Sequence, residues 1–186
     1  MRVNHYFIAI PLPEEVKCFL GGEAQKISKK YPFHKWVHQE DFHITLAFLG
    51  ASEVQKWQNC IEKVAEAIRD EQPFSLELTH FGTFGQPQKP RIFWCGLKYE
   101  ERLFRLQRLV FAACKQSGYS LADQPFNPHI TMARKYKGET AFSEHDLAAC
   151  DADLGRGISF QAQKVSLFES HIDKVPKYQE IKTIYI

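Results

Sequence analysis

The sequence predicts an α+β fold in which two similar lobes, each an antiparallel-type sheet flanked by helices, face each other across a central cleft. Three observations predict it. Strand-like and helix-like apolar periods alternate along the chain. The second half repeats the order of the first. A length of 186 residues, 44% hydrophobic and 25% charged, suits one compact body. At a shift of 86 positions Phe7 falls on Phe93, Leu20 on Leu106, His43 on His129, Thr45 on Thr131 and Phe74 on Phe160. Solenoid units repeat every 20 to 50 residues or so. This longer repeat reads as two halves, about 1–81 and 91–168, of a single domain spanning 1–186.

Residues 3–10 read as a first strand, followed over 14–30 by Val16, Phe19, Leu20, Ala24 and Ile27 at helical spacing, interrupted by Gly21 and Gly22 and stopped by Pro32. A second strand covers 42–49 and ends at Gly50. Ser52 and Gln55 then form a capping-box pattern ahead of Val54, Trp57, Ile61, Val64 and Ile68. Residues 74–79 alternate as a strand and give way to a Gly- and Pro-rich stretch, 82–90, expected to be a loop. The order then restarts with a strand at 92–97, a helix at 101–116 closed by Gly118, and a strand at 129–134. A weaker helix at 143–150 and a strand at 158–168 follow, and a last strand at 178–185 completes one sheet.

Composition narrows the function. Twenty-four basic residues against 22 acidic ones leave a net charge of +2, so any nucleic-acid site must be local. The apolar run at 6–10 is cut by Pro11 and Pro13, too short for a leader or a membrane span, and a cytoplasmic protein is expected. The five cysteines contain no C-x-x-C pair and read as small buried hydrophobes.

The chemistry lies in two tetrapeptides, His43-Ile44-Thr45-Leu46 and His129-Ile130-Thr131-Met132, where chance gives about 0.05 in a chain of this composition. Residues i and i+2 of a strand share a face. Each His and Thr therefore point together into the cleft, while Ile44, Leu46, Ile130 and Met132 face the core. One such tetrapeptide alone reads as a core histidine beside a β-forming threonine; two at matched positions of a repeat read as a site. Two imidazoles near pKa 6.5 can hold opposite protonation states, one base and one acid, which suits in-line displacement at phosphorus. The threonine hydroxyls can hold its non-bridging oxygens. No Asp, Glu or Cys shares the strand face within either tetrapeptide, so a metal site is not expected.

These residues resemble the paired His-x-Thr-x signature of the two-histidine phosphoesterases. The likeness extends over nearly the whole chain, through residues 6–13, 42–50, 91–94, 125–134 and 167–170, and is nearest to the RNA 2′,3′-cyclic phosphodiesterase and 2′-5′ RNA ligase branch. The resemblance implies a bilobal fold with both motifs lining the cleft. It also implies hydrolysis of a terminal 2′,3′-cyclic phosphate to a 2′-phosphomonoester, with 2′-5′ ligation as the related activity. Carried over by motif, His43 is the proton donor to the departing 3′ oxygen and His129 the base that activates water, with Thr45 and Thr131 on the phosphate. The near-equivalence of the halves leaves that orientation open on the residues alone. Arg134 matches a family arginine that adds charge against the phosphate. Strict alternation places it opposite His129, so the role requires a bulge, a twist or the strand's end between them. The first motif has Phe48 at that position, a candidate for stacking on a base, although a strand Phe reads first as core.

The stretch 82–91 carries Lys89 and Arg91, which could guide an RNA backbone but read more simply as solvated surface. The remaining histidines, His80 and His171 among them, carry no expected chemistry. The expectation is a monomeric enzyme with no cofactor, no metal and no membrane contact. Its partner is RNA ending in a 2′,3′-cyclic phosphate, tRNA fragments included. Two alternatives stay open: a cyclic phosphodiesterase acting on a small nucleotide, which turnover of mononucleotide against oligonucleotide separates, and a non-catalytic RNA-end-binding module, which would bind without turnover.

Overall fold

In the computed structural model, which describes residues 4–151, 154 and 157–186, nine strands and four α-helices alternate in an α+β arrangement. They are β1 (His5–Pro11), α1 (Glu14–Ser28), β2 (Phe33–Trp36), β3 (His43–Ala51), α2 (Val54–Ala67), β4 (Phe74–Gln86) and β5 (Lys89–Leu97). Then follow α3 (Glu101–Gln116), β6 (His129–Tyr136), α4 (Glu144–Cys150), β7 (Ser159–Ala162), β8 (Lys164–Ser170) and β9 (Tyr178–Tyr185). Residue 3 of the expected first strand lies outside the described residues.

All strand pairs are antiparallel, in the order β7-β4-β5-β6-β3-β1-β8-β9, with β2 added beside β6. The two expected sheets are joined into one by a single pair, Ile44 opposite Ile130. Those two positions are superposed by the shift of 86. At the far end of the order β4 meets β7, and Ser75 lies opposite Gln161, again 86 apart. Chain order and sheet order differ. β4 leaves the first half to pair with β5, and β8 leaves the second half to pair with β1.

The sheet has two unlike faces because the strands alternate. Ile8, Ile10, Ile44, Leu46, Ile130 and Met132 point to one face and join Val16, Leu20, Val64, Leu103, Leu106 and Val110 of the helices in the main core. Full burial of each such side chain contributes about 1.5–3 kcal/mol. Phe7, Ala9 and Phe168 form a small separate cluster with Tyr178 on the opposite face. That second face carries the cleft.

Four local expectations are corrected and one strand is added. The Ser52–Gln55 capping box does not form: α2 starts after Glu53 with no side-chain cap, and the Ser52 hydroxyl is engaged with the Tyr119 hydroxyl instead. The expected loop at 82–90 is a β-hairpin with β4 and β5 joined by Pro87 and Gln88. Its glycines serve close packing and strand irregularity. A Cβ on Gly82 would lie 2.2 Å from the Trp94 ring, and Gly85 takes φ +103° beside a register shift. The strand expected at 158–168 is two strands, because Gln163 separates β7, on β4, from β8, on β1. β2 had no expected counterpart: only four residues long, it relies on pairing with β6. Gly21 and Gly22 do not interrupt α1.

Candidate active site

The site is assembled by two strands carrying the same irregularity at the same place. Ile8 faces Ala47 and Ala9 faces Thr45, so Leu46 is an extra residue in β3; Phe93 faces Ala133 and Trp94 faces Thr131, so Met132 is extra in β6. These β-bulges fall at equivalent positions and reverse the alternation beyond them. Arg134 therefore returns to the face of His129 and Thr131, as its site role required. Phe48 likewise returns to the face of His43 and Thr45. It is 60% exposed rather than part of the core, in register with Phe7.

Each imidazole is oriented by the residue two positions before it. Nδ1 of His43 lies 2.7 Å from the Asp41 carbonyl oxygen, and Nδ1 of His129 lies 2.8 Å from that of Asn127. A carbonyl only accepts, so Nδ1 carries the proton in both rings and Nε2 is the unprotonated nitrogen. The Thr45 hydroxyl then donates to Nε2 of His43 at 3.1 Å. Asp41 and Asn127 are themselves 86 apart, so the repeat marks both positions in the sequence.

The Asp41 side chain has a second task. Its buried carboxylate accepts the backbone N–H of Lys177 through both oxygens and that of Tyr178 through one, each at 2.9 Å. This tie brings the start of β9 against His43, whose ring lies 5.2 Å from that of Tyr178, 4.7 Å from Phe7 and 6.1 Å from Phe168. His129 is walled differently, with the edge of Phe84 at 4.9 Å and Trp94 at 6.2 Å. No local sequence pattern singles out these aromatic walls, since their contacts come from strands distant in the chain.

Both histidines are hard to protonate. Burial pushes His43 down to about 4; its Asp41 contacts act in the opposite direction, and the nearby charges of His129 and Arg134 depress it further. Burial also lowers His129, opposed by its Asn127 hydrogen bond and aided by Arg134. Arg134 thus acts electrostatically on both rings. Near neutral pH the ligand-free site holds two neutral imidazoles beside a guanidinium. An anion between them would favour uptake of one proton, giving one acid and one base. Of the expected site residues, His43, Thr45, His129, Thr131, Arg134 and Phe48 all lie on the open face. Lys89 and Arg91 lie on the β4–β5 hairpin, and His171 pairs with Glu169 at 3.2 Å.

Residues 18–173 match the family model described as the 2′-5′ RNA ligase superfamily. The chain is 42% identical over 181 residues to the RNA 2′,3′-cyclic phosphodiesterase of Geobacillus stearothermophilus, covering 97% of this chain and 57% of that protein. To the Bacillus subtilis protein of the same name it is 36% identical over 177 residues, covering 95% and 93%. Among solved structures, E. coli LigT complexed with 3′-AMP superposes with a TM-score of 0.80 at 23% identity, over 100% of this chain and 99% of that one, a likeness of fold.

Proposed function

Since the chain belongs to the 2′-5′ RNA ligase superfamily, we propose that it is an RNA 2′,3′-cyclic phosphodiesterase that opens a terminal cyclic phosphate to a 2′-phosphomonoester. The observation that carries this reading is the matched pair of histidines on bulged strands meeting at Ile44 and Ile130, each with Nδ1 on a backbone carbonyl and Nε2 left for chemistry. Its relatives bear the name of that activity.

In the proposed reaction Nε2 of His129 takes a proton from water as the water oxygen bonds to phosphorus. The bond from phosphorus to the 3′ oxygen breaks in line with the attack. Nε2 of His43, protonated by the proton taken up with the phosphate anion, delivers that proton to the departing oxygen, and the phosphate stays on the 2′ oxygen. Thr45, Thr131 and Arg134 hold the non-bridging oxygens. The Thr45 hydroxyl, resting on His43, turns to the phosphate when substrate enters. With a 5′-hydroxyl replacing water, the same transfers produce a 2′-5′ linkage. The exposed Phe48 is a stacking surface for the base. Imidazoles supply both acid and base, so the scheme calls for no metal. The proposed setting is a monomer in the cytoplasm, working on RNA ends that include tRNA fragments.

RNA ending in a 2′,3′-cyclic phosphate, incubated with the protein in EDTA, tests the reading by ³¹P NMR of the product. The expected signal is a 2′-phosphomonoester. A 3′-monoester, an untouched cyclic phosphate, or turnover restored only by a divalent ion would overturn it.

A further inference from the structure

Beside the two-histidine cleft lies a second cavity, of about 300 Å³, walled by Lys35, Trp36, Arg134, Lys174, Lys177 and Tyr178 among others. It adjoins the site through shared residues. The Tyr178 ring lines it and packs against His43, while Arg134 depresses the proton affinity of both histidines.

The charge in this cavity is unbalanced. Lys35 on β2 is paired directly opposite Arg134 on β6, a cross-strand placement that like charges make unfavourable. Among the described residues none of Lys35, Arg134, Lys174 and Lys177 forms an ion pair with a carboxylate. Asp41, also on the wall, spends its oxygens on the N–H groups of Lys177 and Tyr178. Burial and then repulsion by Lys35 and Arg134 lower the proton affinity of Lys177, outweighing the opposing pull of the Asp41 carboxylate. In a chain of net charge +2, such a concentration beside a phosphate site is a local feature.

Resting on the reading given above, the geometry points to a subsite for the phosphate on the 5′ oxygen of the terminal nucleotide, the linkage that joins it to the rest of the RNA. With the cyclic phosphate between the histidines, the chain can leave only through that 5′ oxygen, and the next anion along it is this phosphodiester. Tyr178 supplies an aromatic wall for the adjoining sugar or base, and a basic groove beside an aromatic surface suits single-stranded RNA. The enzyme is thereby selective for RNA ends over bare cyclic mononucleotides.

Three substrates test the subsite: adenosine 2′,3′-cyclic phosphate, the same compound with a 5′-phosphate, and the dinucleotide ApA ending in a 2′,3′-cyclic phosphate. For the parent protein, kcat/KM is expected to rise by about tenfold or more once the 5′ phosphate is present, in either form, as charge-assisted contacts typically provide. In the Lys35→Ala/Lys174→Ala double variant, checked by its melting temperature, that ratio is expected to fall by about tenfold. The salt dependence of dinucleotide binding should shallow by up to about 0.7 in log–log slope, the share of one phosphate. A ratio unchanged by the double variant overturns the subsite. So does an equal loss on all three substrates, or an advantage confined to the dinucleotide and indifferent to the lysines, which would mean base stacking alone. Equilibrium titration with linear 3′-phosphates, Ap against ApAp, reports the same preference without turnover. If the parent hydrolyses none of the substrates, the activity reading fails, while that binding ratio still decides the subsite.

Discussion

His43 has the most perturbed environment of the candidate catalytic residues, and its perturbation has a thermodynamic consequence. Its folded-state pKa, about 4, lies below the ordinary 6.5, so between those values the unfolded chain binds more protons than the folded one. Stability should therefore be fully present above about pH 6.5 and fall as pH drops towards 4. A His43→Gln variant, melted across that range alongside the parent, should show a shallower decline; identical declines would mean that His43 titrates normally. Asp41 makes a separate prediction because it orients His43 through its carbonyl and anchors Tyr178 through its carboxylate. Replacing it by Ala leaves two backbone N–H groups without their acceptor, a loss of about 1–3 kcal/mol by urea denaturation. The backbone carbonyl survives the substitution. The accompanying fall in kcat should therefore be far smaller than that from removing His43 itself; an equal fall would make Asp41 part of the chemistry.

Among the elements, the bulges at Leu46 and Met132 determine what reaches the cleft. The period-two pattern of the sequence placed His43 and Thr45, and His129 and Thr131, on one face, because those pairs precede the bulge. It could not place Phe48 and Arg134, because a bulge formed by Leu46 and Ala47, or Met132 and Ala133, leaves no mark in composition. The hairpin was hidden for a related reason. Gly82, Gly85 and Pro90 carry the residue signature of a loop, yet Gly82 is there to admit the Trp94 ring. Gly82→Ala should accordingly destabilise the protein by about 1–3 kcal/mol through overpacking. With Trp94→Ala already present, the same change should cost much less, and equal costs in both backgrounds would show that the ring is not what Gly82 accommodates. The pairing of β2 with β6 was invisible as well, since four residues of mixed polarity carry no period of their own.

For the molecule as a whole, the repeat was readable from five superposed positions, but the exchange of β4 and β8 between the lobes was not. Neighbours in sequence are the default neighbours in space, and here the turn at Pro87 and Gln88 and the break at Gln163 direct the strands otherwise. The exchange and the Ile44–Ile130 pair place one histidine from each half on a common open face. These two side chains should then act as one acid–base pair on one phosphate. Turnover of a cyclic-phosphate RNA by His43→Ala, His129→Ala and the double variant measures this most directly. Each single change should cost about 100-fold or more. The double variant should cost little beyond either single one, because a lone acid or lone base has lost its partner. Losses that multiply in the double variant, or a single variant that retains near-parental turnover, would show that the two histidines do not act as a pair.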